Sequence, residues 1–261
     1  METVVSFSSD NSVEGLSFKE IEHKIGQQPA LIIPFGATEP YGTTASMGIA
    51  SMATQALASG IAGRCSLLKA PLVPVGCSAA FGAFGGTAVL KPATFKNLFI
   101  DLLRGWIAQG VRKFVIVNGA GGNYPVIQSV TEQIQKKYQI RSILFDLHRD
   151  KTIRAFGDGQ FDHLDEPQRA EAAMIAMACF LCRGAVKEGD SNTLYTGKIP
   201  TKEYLSWRKR GMDPQKLKKM IPGGLFNPQA PLVYSDTRGE MIFKHVLEYC
   251  EQQTAQFLEK E

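Results

Sequence analysis

The chain has 261 residues, 44% hydrophobic and 21% charged, a balance that predicts a globular fold with a proper core rather than a disordered or fibrous chain. Its formal net charge of +4 is too small to imply nucleic acid by itself, and no run reaches the roughly 18 apolar residues that a spanning helix requires. Five cysteines without a spacing framework, and a start without a basic stretch leading into an apolar one, predict the cytoplasm and no signal peptide.

Ser17-Phe18-Lys19-Glu20 reads as a capping box that opens a short helix running toward Gly26. Ala30-Leu31-Ile32-Ile33-Pro34-Phe35 is a continuous apolar run, as expected for a strand buried on both faces. Small residues dominate residues 45–62, which predicts a helix able to pack closely on a sheet. Residues 66–69 and 72–75 are further strand candidates, the second confined to an edge or strand end by Pro74. From Thr94, the residues Phe95, Leu98, Phe99, Leu102, Leu103, Trp106 and Ile107 fall on one helical stripe closed by Gly110. Residues 114–117 read as a buried strand ending at Asn118. A helix follows Asn123, with Pro125 in its first turn. Residues 143–145 form the next strand, leading into Asp146 and His148, and residues 170–182 are helical.

Strands alternating with helices of this length predict a three-layer α/β/α sandwich with a mainly parallel sheet. One domain spanning 1–261 is expected, with residues 187–231 as an irregular excursion rich in Gly, Pro, Lys and Arg. In such sheets ligands bind beyond the carboxyl ends of the strands. The loops after Phe35, Val75, Val117 and Phe145 are therefore expected to line one cleft.

Four loop segments stand in order along the chain. They are Gly36-Ala37-Thr38-Glu39-Pro40-Tyr41-Gly42-Thr43-Thr44, Gly76-Cys77-Ser78-Ala79-Ala80-Phe81, Gly85-Gly86-Thr87 and Asn118-Gly119-Ala120-Gly121-Gly122-Asn123. In this order and spacing the chain resembles the creatininase (creatinine amidohydrolase) family, from about Leu31 to the helix at Glu171. A weaker echo lies at Asp236-Thr237-Arg238-Gly239-Glu240. The resemblance implies an amidohydrolase in which two divalent metal ions polarise an amide carbonyl and generate hydroxide. It also implies a homo-oligomer, commonly a hexamer.

The correspondence runs residue by residue. Glu39 matches the family's first-loop carboxylate and Glu171 the ligand glutamate of a later helix. Tyr41 stands where a metal-binding histidine belongs, Thr44 replaces a second histidine, and Ala50 replaces the bridging aspartate. Ala120 replaces the histidine of the glycine loop, and Phe81 stands where relatives often carry another. Glu39 and Glu171 are the metal ligands the resemblance leaves in place. No cofactor is therefore expected at full occupancy, because alanine cannot coordinate and a phenol must lose a proton to bind a cation well.

The loop scaffold is kept. Gly119, Gly121 and Gly122 permit close backbone approach or positive φ, and Asn123 can cap the helix behind it. Tyr41, Thr44, Asn118, Gly119, Ala120, Gly121, Gly122, Asn123 and Asp146 are the candidate ligand-binding residues, and Glu39, Glu171 and His148 the candidate catalytic ones. A site rebuilt from His148, Asp146, Glu39 and Glu171 around a divalent cation (Zn, Mn or Mg) is one alternative. A loop-bonded His148 is the other. Asp162, His163, Asp165, Glu166 and Arg169 precede the helix of Glu171. Cys179 and Cys182 lie inside an apolar helical run, which makes them packing residues rather than a redox pair. The basic stretch 201–220, with Tyr204, Leu205 and Trp207 interleaved, is expected at a subunit contact rather than on nucleic acid. Three functions follow: a family member that keeps the fold and a cleft for a small polar ligand without the two-metal reaction; a working hydrolase with a rebuilt site; or an oligomeric structural or regulatory protein.

Overall fold

The computed structural model describes residues 11–162, 164, 168–182, 184–187, 213–224 and 236–260. Its sheet is wholly parallel, with strands β1 (Ala30–Phe35), β2 (Leu68–Lys69), β3 (Lys113–Asn118) and β4 (Arg141–Asp146) in the order β2-β1-β3-β4. Ile32 pairs with Val115 and Ile33 with Ile116, so both apolar runs lie side by side in one sheet.

Alternate residues of each strand feed opposite layers. Ile32, Val115, Val117 and Phe145 face a core built on helices α2 (Ile49–Cys65), α6 (Gln168–Leu181) and the C-terminal helix α8 (Asp236–Glu259). Leu31, Ile33, Phe35, Phe114 and Ile116 face a second core under α3 (Pro92–Ala108) and α4 (Tyr124–Tyr138). Because both faces are covered, the strands carry continuous apolar runs instead of alternating ones. Helix α5 (Lys151–Gln160) joins α6 and α8 on the first face.

The capping box expected before α1 (Phe18–Gln27) is formed in both directions between Ser17 and Glu20. Helix α2 begins at Ile49 rather than residue 45, because the preceding backbone is tied elsewhere. The Ser46 N–H donates to the Ala185 carbonyl (2.7 Å), and Ala45 bridges Val186. The strand expected at residues 72–75 reduces to a bridge between Phe35 and Val73. Pro74 has no N–H with which to continue a ladder. On α3 the buried stripe is Phe95, Phe99 and Leu103, while Leu98 and Leu102 sit half-buried on its flank.

Of the basic stretch 201–220, helix α7 (Pro214–Met220) is described, and residues 201–212 lie outside the described residues. Leu217 and Ile221 pack on Ala80, Phe81 and Phe84 of the same chain, and Lys218 Nζ donates to the Ala83 carbonyl (2.9 Å).

Gly119 makes the closest approach between loop and helix. A Cβ there would collide with Thr54 Oγ1 and lie 2.8 Å from the Ala50 carbonyl oxygen, whereas one at Gly63, exposed on α2, would meet nothing. Gly119→Ala is therefore expected to cost about 2 kcal/mol through overpacking. Gly63→Ala should stabilise by about 0.5–1 kcal/mol through helix propensity. Urea denaturation of the two variants side by side checks the pair, and equal effects would contradict the close packing of the glycine loop on α2.

Candidate active site at the strand ends

Two asparagines and one aspartate build the floor of the site. Asn118 ends β3, fully buried. Its Nδ2 donates to Asp146 Oδ2 (2.7 Å) at the end of β4 and to the Ala120 carbonyl (2.9 Å). Its Oδ1 accepts from the Ala120 N–H (3.3 Å) and from Asn123 Nδ2 (3.3 Å). Asn123 occupies the N-cap position of α4 but does not cap with its side chain, contrary to expectation. The amide turns inward instead. Its Nδ2 donates to the Gly36 carbonyl (3.1 Å) after β1, and its Oδ1 accepts from the Cys77 N–H (2.8 Å).

Asp146 is committed in the same way, since its second oxygen accepts from the His148 N–H (3.0 Å). His148, half-buried, has Nε2 2.9 Å from the Gly119 carbonyl. A carbonyl only accepts, so Nε2 carries the proton and His148 is bonded to the glycine loop. Of the glycines after Gly119, Gly121 is half-buried and Gly122 exposed, and neither has a positive φ. Arg149 stacks on the Tyr124 ring at 4.3 Å. Arg169 donates to the Leu164 (2.6 Å) and Asp162 (3.0 Å) carbonyls, closing the loop ahead of α6, while His163, Asp165 and Glu166 lie outside the described residues.

Above this floor the first loop brings in Glu39 and Tyr41. The Glu39 N–H donates to the Met47 carbonyl (3.0 Å), folding the loop back on itself, and Gly42 (φ 103°) supplies the left-handed turn that follows Tyr41. Both side chains are buried, Glu39 at 8% and Tyr41 at 4% exposure. Tyr41 packs in the same apolar cluster as Ala50 and Ala120, which are 0% and 1% exposed. Burial pushes the Glu39 carboxyl above the usual carboxylate range. The Ser78 hydroxyl faces that carboxyl and opposes the shift, without completing a hydrogen bond of good geometry. Burial also lifts the Tyr41 phenol far above its ordinary value, helped by the negative charges of Glu39 and Glu171. Tyr41 thus keeps its proton near neutral pH, with the charges of both glutamates acting on it. Thr44 is half-buried; its carbonyl accepts from the Lys187 N–H (2.9 Å), and its hydroxyl has no partner among the described residues. Burial pushes the Cys77 thiol up to about 11, which removes it as a nucleophile near neutral pH.

Ser78 is the residue sequence reasoning missed. It stood inside a quoted motif, but nothing in the sequence set it against Glu39. Among the described residues no three His, Cys, Asp or Glu side chains converge in a way that could hold a metal ion. No helix among them is long and apolar enough to cross a membrane.

A parallel sheet with glycine-bearing loops folded over its carboxyl edge defines an α/β protein with a strand-end site. The chain belongs to the creatininase family, described as creatinine amidohydrolase, whose pattern matches residues 14–252. It is 25% identical over 144 residues to 3-dehydro-scyllo-inosose hydrolase of Thermotoga maritima, a match covering 51% of this chain and 43% of that protein. The fold is similar to the crystal structure of creatinine amidohydrolase (creatininase), with TM-score 0.78, 18% identity, and coverage of 97% of this chain and 100% of that one. It is also similar to a solved creatininase described with Mn, with TM-score 0.75, 17% identity, and coverage of 96% and 100%.

Two outcomes follow from this geometry. Replacing Asn123 by Leu leaves the Cys77 N–H and the Gly36 carbonyl without partners, and each buried orphan costs about 1–3 kcal/mol. Denaturant melts should show a loss of at least about 2 kcal/mol, and a loss near zero would mean the amide is dispensable. The second outcome concerns pH. A carboxyl whose native pKa is raised favours the folded state below its unfolded value of about 4.3, and that advantage is lost as pH rises through the native value. Glu39→Gln removes the loss, so the variant should match the parent near pH 4 and melt higher at pH 8. A variant that melts lower at pH 8 would reveal a compensating cation beside Glu39.

Proposed function

We propose that this chain is a creatininase-family protein that has given up two-metal amide hydrolysis and keeps its strand-end site for a small polar ligand. One observation carries the reading: Tyr41, at a position where the resemblance expects a metal-binding histidine, is buried in one apolar cluster with Ala50 and Ala120. The donor set does not fit a pair of divalent cations. Each such ion needs several converging N or O ligands. At the positions the family uses, Ala50 and Ala120 are buried parts of the apolar core, and Tyr41 holds its proton more tightly than a free phenol. The rebuilt alternative is disfavoured by the bonds already made. Asp146 spends one oxygen on Asn118 and the other on the His148 backbone, and the Nε2 of His148 is engaged by Gly119.

Elemental analysis of protein purified without chelator tests the reading. It should find well under two transition-metal ions per chain, with no measurable creatinine turnover. Removing even a supporting group typically costs about 10–100-fold in affinity or activity, and here three direct ligands are replaced. The combined change Tyr41→His, Ala50→Asp and Ala120→His should raise metal uptake. Two tightly held Zn or Mn ions in the unmodified protein would overturn the proposal and bring the hydrolase reading forward.

A further inference from the structure

Lys69 is a cation folded into the sheet edge, and we propose that residues 11–16 form a strap over it that opens locally, with the buried charge setting the strap to open. The inference is independent of the strand-end site. Lys69 lies on the edge strand β2, opposite Ile32. Leu68 faces the second core, so its neighbour Lys69 turns its side chain to the α2 side of the sheet. Lys69 is 3% exposed, and its Nζ has no hydrogen-bond partner among the described residues. The carboxylate facing it, Glu14 Oε2, stands 3.9 Å away on an exposed side chain.

The strap supplies that carboxylate and continues the sheet, since Ser12 forms a parallel bridge with Lys69. Asn11 anchors it at two points. Its Nδ2 donates to the Ala62 carbonyl near the end of α2 (3.1 Å), and its Oδ1 accepts from Lys24 Nζ of α1 (2.9 Å). Val13 and Leu16 rest half-buried on the second core, and none of the strap residues is buried. A segment with so little apolar burial belongs to the low end of local stability. Beneath it lies an ammonium stripped of water with no hydrogen bond in return. A charge buried in that way opposes the contact that buries it. Opening returns water to Lys69 and gives up only a few half-exposed bonds. The domain has little stake in the strap, because β2 keeps its pairing with β1 while Leu67 and Leu68 stay in their two cores. The strap can therefore leave while the rest stays folded.

The test is acetylation of the folded full chain with N-hydroxysuccinimidyl acetate, at several urea concentrations below the unfolding transition, read lysine by lysine by mass spectrometry. The exposed Lys19 and Lys96 should react fastest. Lys69 should react roughly 100-fold more slowly, at a rate nearly flat in urea, because local opening exposes little surface. Asn11→Ala removes both anchors and leaves Lys69 and Glu14 in place, so it should speed Lys69 acetylation about tenfold. Should that variant not fold, the urea dependence of the parent decides. A Lys69 rate that climbs with urea along the slope of global unfolding, a rate equal to that of Lys19, or no acceleration in folded Asn11→Ala overturns the proposal.

Discussion

The amide of Asn123 holds three chain segments at one point, and the order of the strand ends depends on it. Through it the turn after β1, the segment at Cys77 and the end of β3 meet. Asn118 extends the connection to β4 through Asp146. Each bond contributes only about 1 kcal/mol net, but the partners are buried or half-buried groups whose abandonment costs more than their pairing yields. That asymmetry is why a few side-chain amides can fix loops that carry no regular secondary structure. The glycine at 119 belongs to the same constraint, because the loop must pass against Thr54 and Ala50 with no room for a side chain.

Scaffold and chemistry are therefore separable in this protein. The groups that hold the loops are amides, a carboxylate tied to an amide, and backbone N–H and C=O groups. Around them the chain carries a buried phenol, Tyr41, and two buried alanines, Ala50 and Ala120, in one apolar cluster. Nothing in the amide network requires a metal ion to be satisfied. The side chains of Tyr41, Ala50 and Ala120 join the apolar cluster under α2 and α6 and take no part in the amide network.

The parts of the fold that were legible in the sequence are those with one dominant local signal. The run from Ala30 to Phe35, the reciprocal Ser17–Glu20 cap and the strand ending at Asn118 all read directly, because burial on both faces or a paired cap leaves little else for those residues to do. Helix α5 did not read, since Gly157 and Gly159 break its propensity. Asp150 nevertheless starts it by accepting from the Thr152 (2.9 Å) and Ile153 (3.2 Å) N–H groups. Helix α8 carries a helical-period signal in Ile242, Val246, Cys250 and Phe257, all buried, that extends well beyond the motif at its first turn. Within the site, it was plain from the sequence that no histidine stands at positions 41, 44 and 120. The inward turn of Asn123 was not, because an asparagine before a helix most often caps it, and only the approach of Gly36 and Cys77 makes the inward partners better.

Burying carboxyl groups near an apolar cluster carries a cost that the residues of the first loop must meet. A cation pair among carboxylates is an electrostatic solution, in which positive charge offsets the cost of burying negative groups. Removing the cations while keeping Glu39 would leave an unpaired buried carboxylate, which is costly unless it takes up a proton. Burial holds the Glu39 carboxyl above the usual carboxylate range, and it holds the Tyr41 phenol far above its own ordinary value. Glu171 is half-exposed on the first turn of α6. The two glutamates thus differ in burial, and the cost of burying a carboxyl falls on Glu39, in the loop whose Tyr41 joins the apolar cluster.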